Sequence, residues 1–365
     1  MPSLTPAYLR SLPIDATLLG QIDRLGYARG TQQVFRTQAP ELLRHLTTVA
    51  RIESTESSTR LEGAVAPRAR IEGIVLRDAA PTNRSEAEIA GYRDALRMIH
   101  EHAEHMHFSE SQILELHGRL YRYLPAPGGR YKATQNDIVE TDDAGVIVRV
   151  RFSPTSPVQT PGAMRDLVEG YAKAVDHDAL PSALIIGLAV LDFLCIHPFP
   201  DGNGRTARLL TLLLLCHHGF DVGRYVSLER VIEQNRDGYY DSLESSSTGW
   251  HADAHDARPW LDYFLGVLIA AYDEFEHRVD AVRRGPGGTK TSMVRAAVAR
   301  RLAPFAISEI ERELPGISRE LIRSVLKDLR AEGVLALRGR GRAARYEPAT
   351  GRITGAEVRT DEGGR

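Results

Sequence analysis

The sequence is poor in cysteine and has almost no net charge. Two cysteines in 365 residues, both in apolar runs, are too few for a disulfide framework and indicate reduced core thiols. A formal net charge of −2 gives the whole chain no preference for a polyanion. The longest apolar run, residues 183–196, is too short to span a bilayer. The first residues lack a basic segment followed by an apolar one, so we expect no signal peptide, no membrane and a cytoplasmic location.

What the sequence does contain is helical periodicity. With 42% hydrophobic and 26% charged residues, the chain is long enough for two or three folded domains. Residues 1–85 read as helical pieces, and Ser109 is a predicted N-cap. Further helices are predicted at residues 85–105, 109–123, 160–177, 182–196, 204–218, 235–246 and 258–277.

One hairpin interrupts this helical pattern. Residues 146–152 alternate apolar and other side chains with a period of two, which predicts a strand. Its partner is expected at residues 136–140, with a turn at 142–145. Near the C-terminus, a linker at 283–291 precedes helices predicted at residues 293–302, 307–314 and 318–332, strands at 334–337 and 344–347, and a polar tail at 349–365.

A glycine-rich loop carries the strongest chemical signal. Residues 197–208 read His-Pro-Phe-Pro-Asp-Gly-Asn-Gly-Arg-Thr-Ala-Arg and join the end of one predicted helix to the start of the next. Gly202 and Gly204 permit positive φ and close approach of the backbone to a ligand. Consecutive N–H groups in such a loop, with the N-terminus of the following helix, bind anions. The segment therefore predicts a phosphate site.

Side chains around this loop complete a nucleotide site. Arg205 and Arg208 are three residues apart, so on a helix they project from one face and can bind neighbouring phosphates. Asp201 offers an oxygen ligand suited to Mg²⁺, and His197 can act as a general base. Cys195 leaves a thiol nucleophile as an alternative, although apolar surroundings raise a thiol pKa.

The loop matches the signature His-x-Phe-x-[Asp/Glu]-Gly-Asn-Gly-Arg-x-x-Arg at every fixed position, so the chain resembles the Fic family of protein adenylyltransferases. The resemblance implies a nucleotidyltransferase that moves AMP from Mg-ATP to a hydroxyl side chain of a target protein and releases pyrophosphate. It implies a mainly α fold, with an all-helical core at 86–282 that carries one β-hairpin flap at about 130–153.

The same resemblance implies a role for each residue of the loop. His197 would be the base, Asp201 the Mg²⁺ ligand and Phe199 the anchor of the loop in the core. The remaining residues would bind ATP: Gly202, Asn203 and Gly204 at the α-phosphate, and Arg205 and Arg208 at the outer phosphates.

Two neighbouring segments extend the resemblance. Residues 235–243 resemble the family's adenine-side helix, which would place Tyr239, Tyr240 and Leu243 in the base pocket; the alternative is that the tyrosines are plain core. Some relatives have Asn seven residues after the second Tyr, where this chain has Ser247. The hairpin resembles the flap that pairs with an extended target segment by β-augmentation, and its alternative is a decorated loop.

A second motif precedes the core. Residues 58–63, Ser-Thr-Arg-Leu-Glu-Gly, match the family's inhibitory pattern [Ser/Thr]-x-x-x-Glu-[Gly/Asn], in an inhibitory helix expected at about 53–63. The resemblance implies that Glu62 pairs with Arg208 and occupies space that the γ-phosphate needs, with Ser58 as the first residue of the pattern. A carboxylate and a phosphate oxygen compete for one guanidinium, so this reading is physically sound.

A similar tripeptide lies further along the chain. Residues 71–73 read Ile-Glu-Gly, but Arg68 stands where the inhibitory pattern requires Ser or Thr. We therefore expect Glu62, and not Glu72, to be the inhibitory residue.

The predicted C-terminal elements at 292–348 resemble a winged helix, with residues 318–330 as the recognition helix and 337–346 as the wing. A protein contact or a structural role is favoured over DNA binding. The basic residues of this module are Arg319, Arg323, Lys327 and Arg330 on the helix, and Arg338, Arg340, Arg342 and Arg345 on the wing.

The sequence thus predicts a protein adenylyltransferase that Glu62 inhibits by competing for Arg208. Two alternatives stay open: a DNA-binding regulator with a Fic core as sensor, and an enzyme that removes AMP with Glu62 positioning a water. The expected partners are ATP with Mg²⁺ and an unknown target protein that docks on the flap. Self-modification and a homodimer are open as well.

Overall fold

The computed structural model describes residues 2–38, 40–141, 146–283, 288–299, 301, 304–314, 317–339 and 344–348. The chain divides into two compact units, Met1–Glu276 and His277–Arg365. The turn predicted at 142–145, the wing residues Arg340 and Arg342, and the polar tail lie outside the described residues.

The described chain is mainly helical, as predicted, with two small antiparallel hairpins among its described residues. Of the first eleven helices, α1 to α4 precede the predicted core, α5 begins at its edge and the others lie within it. They are α1 (Pro6–Ser11), α2 (Ala16–Gln38), α3 (Pro40–Leu61), α4 (Arg68–Arg77), α5 (Arg84–His102), α6 (Glu110–Leu120), α7 (Thr160–Asp176), α8 (Ser182–Ile196), α9 (Asn203–His217), α10 (Leu228–Gln234) and α11 (Arg236–Ser247). The next helix is α12 (Arg258–Arg283).

Helices α8 and α9 form the centre of the first unit. Every residue of α8 from Ala183 to Ile196 is buried, which is expected for a helix that is apolar on all sides. Helix α9 is buried along most of its length and packs against α8. The glycine-rich loop joins these two helices, so its ends are fixed by the most buried part of the unit.

Helix α3 contains the predicted inhibitory helix. It runs without a break from Pro40 to Leu61, and the polar side chains of its last turns are largely buried. Its hydroxyl groups are satisfied within the helix: Thr55 donates to the Arg51 carbonyl and Thr59 to the Thr55 carbonyl, both at 2.8 Å. Small hydroxyl side chains that bond to their own backbone can be buried at low cost. Helix α3 therefore packs against the core up to its C-terminal end.

The predicted hairpin is present as β1 (Ile138–Thr141) and β2 (Ile147–Phe152). The strands pair antiparallel, with Val139 opposite Val150. Residues 147–150 of β2 are all exposed, and Arg149 and Arg151 form ion pairs with Glu244 of α11. We call this hairpin the flap.

The second unit has the predicted order of three helices and a hairpin. Its helices are α13 (Gly288–Ala299), α14 (Ile307–Glu313) and α15 (Arg319–Ala331), and its strands are β3 (Leu335–Arg338) and β4 (Arg345–Pro348). Apolar residues of all three helices pack with Phe305 and Leu335 in one core. The linker predicted at 283–291 lies partly outside the described residues, and its last four residues begin α13.

Within the described ranges, no helix has both the length and the apolar character needed to cross a bilayer.

Candidate active site

The glycine-rich loop leaves α8 through a left-handed residue and enters α9 through another. His197 ends α8 with φ 50°, and Pro198 follows it. Gly202 has φ 78° and immediately precedes Asn203, the first residue of α9. A left-handed conformation is costly for a residue with a side chain, so His197 must be held in place by its surroundings. The predicted end of α8 and start of α9 are both confirmed to within one residue.

Phe199 holds the middle of the loop in the core. Its side chain is fully buried and stacks on the His117 ring, with centroids 3.7 Å apart and planes within 1°. The Asn203 side chain bonds to the Phe199 backbone in both directions, accepting from N–H at 2.9 Å and donating to C=O at 2.8 Å. The Asn203 amide is thus occupied by the loop itself, which leaves its backbone N–H as the group at the start of α9.

His117, on α6, is a supporting residue that the sequence reasoning missed. Its Nδ1 accepts from the Gly129 N–H at 2.8 Å, so its Nε2 carries the proton and donates to the Asp201 carbonyl at 3.0 Å. Burial lowers the pKa of His117 to about 4, which keeps the ring neutral. No motif marks this histidine in one sequence, because its partners are backbone groups.

His197 has the geometry of a general base. Its Nδ1 lies 3.2 Å from the Leu194 carbonyl, which favours a proton on Nδ1 and leaves the lone pair of Nε2 free. Burial lowers the pKa of His197 from its ordinary 6.5 to about 4. The Leu194 carbonyl, Glu62 and Asp201 act against this shift, whereas the charge of Lys132 acts with it. His197 is therefore a neutral proton acceptor at neutral pH.

This environment gives a prediction for the pH dependence of His197. Because its pKa is lowered, the neutral form persists as the pH falls through 6.5 and disappears only near pH 4. We expect the His197 imidazole to be neutral at pH 5.5. An NMR titration of the side-chain nitrogens, with the His197 signal assigned by its loss in His197→Ala, measures this. An inflection near 6.5 would contradict the prediction.

Arg208 faces the end of α3. Its Nε donates to Ser58 Oγ at 2.8 Å, and its Nη2 donates to the Ser58 carbonyl at 3.0 Å and to Glu62 Oε1 at 2.8 Å. Burial alone would lower the pKa of Arg208, but Glu62, Tyr239 and Tyr92 raise it above its ordinary value. The contact between Glu62 and Arg208 that the inhibitory pattern implied is present.

The structure separates the two motif arginines. Arg205 is 2% exposed, donates to Glu88 at 2.8 Å and lies 3.4 Å from Asp201 Oδ2. Its guanidinium also lies over the Tyr121 ring. Residues three apart on a helix differ by about 60° in direction, so separate acidic partners can draw them apart. Arg205 does not line the cavity described below, and its predicted phosphate contact stays a prediction.

Asp201 presents its carboxylate at the loop surface. Its Oδ1 accepts from the Gly202 N–H at 2.6 Å, and the side chain is 60% exposed. Among the described residues, no cluster of three or more His, Cys, Asp or Glu side chains is arranged to hold a metal. A single exposed carboxylate suits Mg²⁺, which usually takes one or two carboxylates and completes its shell with water and substrate phosphates.

A cavity of about 350 Å³ joins the loop to α11 and the flap. His197, Asp201 and the start of α9 form one wall, with Glu62 and Arg208 beside them. The other walls include the three residues predicted for the adenine side, the flap residues and Ser247: Tyr239, Tyr240, Leu243, Ser247, Ile138, Arg151 and Phe152.

Cys195 also reaches this cavity, but it is not placed to act as a nucleophile. It is 2% exposed, and burial raises its pKa well above the ordinary value of a thiol. A thiol that stays protonated is a poor nucleophile. The thiol alternative therefore has no support in the structure.

Comparison with known proteins gives a family match. Residues 107–215 match the model of the Fic/DOC family. The chain is 30% identical over 215 residues to protein adenylyltransferase fic-1 of Caenorhabditis elegans. This alignment covers 57% of this chain and 35% of that protein. It is 29% identical over 141 residues to a probable protein adenylyltransferase of Aquifex aeolicus, covering 39% of this chain and 38% of that protein. The chain thus spans little more than a third of each of these relatives.

Solved structures show the same fold. A Fic family protein from Desulfovibrio desulfuricans G20 aligns with a TM-score of 0.60 and 19% identity, over 97% of this chain and 98% of that one. Residues 134–508 of C. elegans Fic-1 align with a TM-score of 0.57 and 22% identity, over 72% of each chain. At these identities the likeness concerns the fold alone. The family model therefore identifies a domain of the Fic family at residues 107–215 of this chain.

Proposed function

We propose that this protein is a protein adenylyltransferase, which transfers AMP from Mg-ATP to a hydroxyl group of a target protein. The observation that carries the proposal is the shared cavity, where a neutral histidine, a helix N-terminus and two tyrosines face one space. The relatives named as protein adenylyltransferases support the same activity. A nucleotide would place its phosphates at the loop and its base against α11.

A carboxylate already marks the anion-binding position. A Cβ added to Gly204 would lie 2.5 Å from Glu62 Oε1, so the Glu62 carboxylate rests directly against the first turn of α9. Helix N-termini attract anions through unpaired N–H groups and the helix dipole. Glu62 therefore occupies a position suited to a phosphate. A phosphate bound there would contact Arg208, which Glu62 already binds.

The proposed reaction uses His197 as the base. The target hydroxyl oxygen would attack the α-phosphorus of ATP and form a new P–O bond, while the bond from the α-phosphorus to the bridging oxygen breaks. The hydroxyl proton would pass to Nε2 of His197, and pyrophosphate would leave with the electron pair of the broken bond. His197 can accept the proton because its Nδ1 is engaged with Leu194 and its ring is neutral.

Mg²⁺ is part of this proposal. Asp201 would hold the ion, which neutralises phosphate charge when bound. The remaining phosphate contacts would come from Arg208 and the N–H groups at residues 202–204, which line the cavity.

We further propose that Glu62 inhibits the enzyme. Its ion pair with Arg208 at 2.8 Å is 4% exposed on the arginine side and 29% on the glutamate side. The γ-phosphate and Glu62 cannot both bind this guanidinium bidentately. ATP that enters while Glu62 is in place would bind with its phosphates displaced, and so unproductively.

The flap would receive the target. Ile138, Arg151 and Phe152 line the cavity, so a strand added to the flap would run past the α-phosphate position. Ion pairs of Arg149 and Arg151 with Glu244 hold the flap against α11. Self-modification and removal of AMP would use the same site and are further proposals. A homodimer is a separate proposal.

The second unit favours an accessory role over DNA binding. Several of its basic residues are paired within the unit: Arg319 with Glu311, Arg338 with Glu347 and Arg345 with Glu309. Pairing with acidic residues neutralises much of the positive charge that would attract the phosphate backbone of DNA. The winged-helix identity of this unit stays a prediction.

The donor group can be tested with two labels. We expect Glu62→Gly protein incubated with Mg²⁺ and ATP to retain label from the α-phosphate and none from the γ-phosphate, because pyrophosphate leaves. Intact mass should rise by one AMP. Excess EDTA should stop the reaction. Transfer of the γ-label would show a kinase and overturn the proposal.

A further inference from the structure

The turn that carries His197 is bonded to a short segment just before the flap. Four successive carbonyl groups, at residues 196–199, all accept hydrogen bonds from Lys132 or Asn136. Lys132 Nζ donates to the Ile196 carbonyl at 3.2 Å, and the Lys132 N–H donates to the Pro198 carbonyl at 2.8 Å. We call this set of bonds the turn clamp.

Asn136 supplies the other half of the turn clamp. Its Nδ2 donates to the Phe199 carbonyl at 2.7 Å and to the His197 carbonyl at 3.3 Å. Its Oδ1 accepts from Lys132 Nζ at 2.7 Å. Lysine can only donate and carbonyls can only accept, so this network fixes the orientation of the Asn136 amide.

Lys132 is unusual for a buried lysine. It is 4% exposed, and its Nζ donates to an amide oxygen and a carbonyl oxygen rather than to a carboxylate. Its charge faces the Ile196 carbonyl at the C-terminal end of α8, where a cation is favourable. Buried lysines without a paired acid are rare and costly. The free-energy cost of burying Lys132 indicates that its bonds to the turn have a structural or functional role.

That role is explained by the strained backbone at His197. The left-handed φ of 50° is unfavourable for histidine, and relaxation of the turn would move the imidazole. Asn136 is followed two residues later by Ile138, the first residue of β1. The turn clamp therefore connects the base and the flap directly.

We propose that Lys132 and Asn136 are positioning residues, which hold the His197 turn and the flap in one rigid frame. The inference rests on the proposed function, since it concerns the approach of a target hydroxyl on the flap to His197. Lys132 does not line the cavity; Asn136 does, but its side-chain amide is taken up by Lys132 and by the carbonyls of the turn. Loss of these two residues would misplace the base and leave the phosphate-binding N–H groups of α9 in position.

The test is Asn136→Asp in a Glu62→Gly background. Aspartate keeps the shape and can pair with Lys132, but it loses both donors to the turn. The matched control is Gln135→Glu, the same chemical change one residue away, because Gln135 is exposed and bonds to Asp137 and Pro154 instead. At saturating Mg-ATP, we expect the self-labelling rate to fall about 100-fold in Asn136→Asp, because a displacement of about 1 Å costs this much. The Kd for Mg-ATP should change less than twofold, and Gln135→Glu should match its parent.

A second measurement does not depend on activity. Hydrogen exchange of the peptide covering residues 196–203 should be faster in Asn136→Asp and unchanged in Gln135→Glu. Unchanged exchange, or an unchanged labelling rate in Asn136→Asp, would overturn the turn clamp. Parallel loss of rate and ATP affinity would do so too, since it would indicate general damage. If the Glu62→Gly parent does not label, the proposed function fails, whereas the exchange result still decides the clamp.

Discussion

Glu62→Gly is expected to raise the rate of AMP transfer about 10- to 100-fold. The substitution removes a charge-assisted contact with Arg208 that is worth about 1.5–3 kcal/mol, and each 1.4 kcal/mol is a factor of ten in an equilibrium constant. It also clears the space against Gly204. Arg208 and the start of α9 then become available to ATP. The measurement is the initial rate of self-labelling with α-labelled ATP.

The sequence offers a matched control for this substitution. Glu72→Gly removes an acidic residue followed by glycine in the neighbouring helix α4, where Glu72 pairs with Arg68. It should leave the labelling rate within about twofold of wild type, because Glu72 does not line the cavity. Equal activation by both substitutions would indicate general loosening and would refute inhibition by Glu62.

His197→Ala in the Glu62→Gly background is expected to lower the rate by about 10²- to 10⁴-fold, the usual contribution of a general base. Mg-ATP should still bind, because the phosphate contacts lie elsewhere in the loop and at Arg208. A split between lost rate and retained Kd distinguishes a base from a structural histidine. The experiment pairs labelling with calorimetric titration of Mg-ATP.

The control for His197→Ala is His177→Ala. His177 is an exposed histidine that follows α7, and its ring bonds only to the Lys173 carbonyl of its own helix among the contacts seen. Its removal should not change the rate. Retention of full labelling by His197→Ala would sink the proposed mechanism.

The helical architecture could be predicted because its signals are local. Apolar spacing and the N-cap at Ser109 predicted helix ends that the structure confirms. The glycine-rich loop was likewise predictable, since its chemistry is concentrated in residues 197–208. The burial of the last turns of α3 was harder to predict, because Thr55 and Thr59 are polar in sequence yet satisfy their hydroxyl groups within the helix.

The supporting residues of the site could not be predicted. His117 and Lys132 are far from the loop in sequence and act through backbone carbonyls, which have no side-chain signature. The burial of Arg205 depends on Glu88, which lies 117 residues away. Spacing along one helix predicted a shared face for Arg205 and Arg208, but it contains no information about the acidic partners that each arginine meets.

The position of Glu62 has a consequence for how this protein can change. Arg208 and the first turn of α9 would serve inhibitor and nucleotide with the same atoms. On the proposed function, substitutions there would weaken inhibition and nucleotide binding together, so they would not yield an enzyme that is both uninhibited and active. Ser58 and Glu62 belong to α3 and the turn that follows it, where Gly63 adopts φ 85°. A tethered carboxylate competes at a fixed effective concentration, and only displacement of this end of α3 lowers that concentration. A physiological activator should therefore act on the end of α3, outside the nucleotide site.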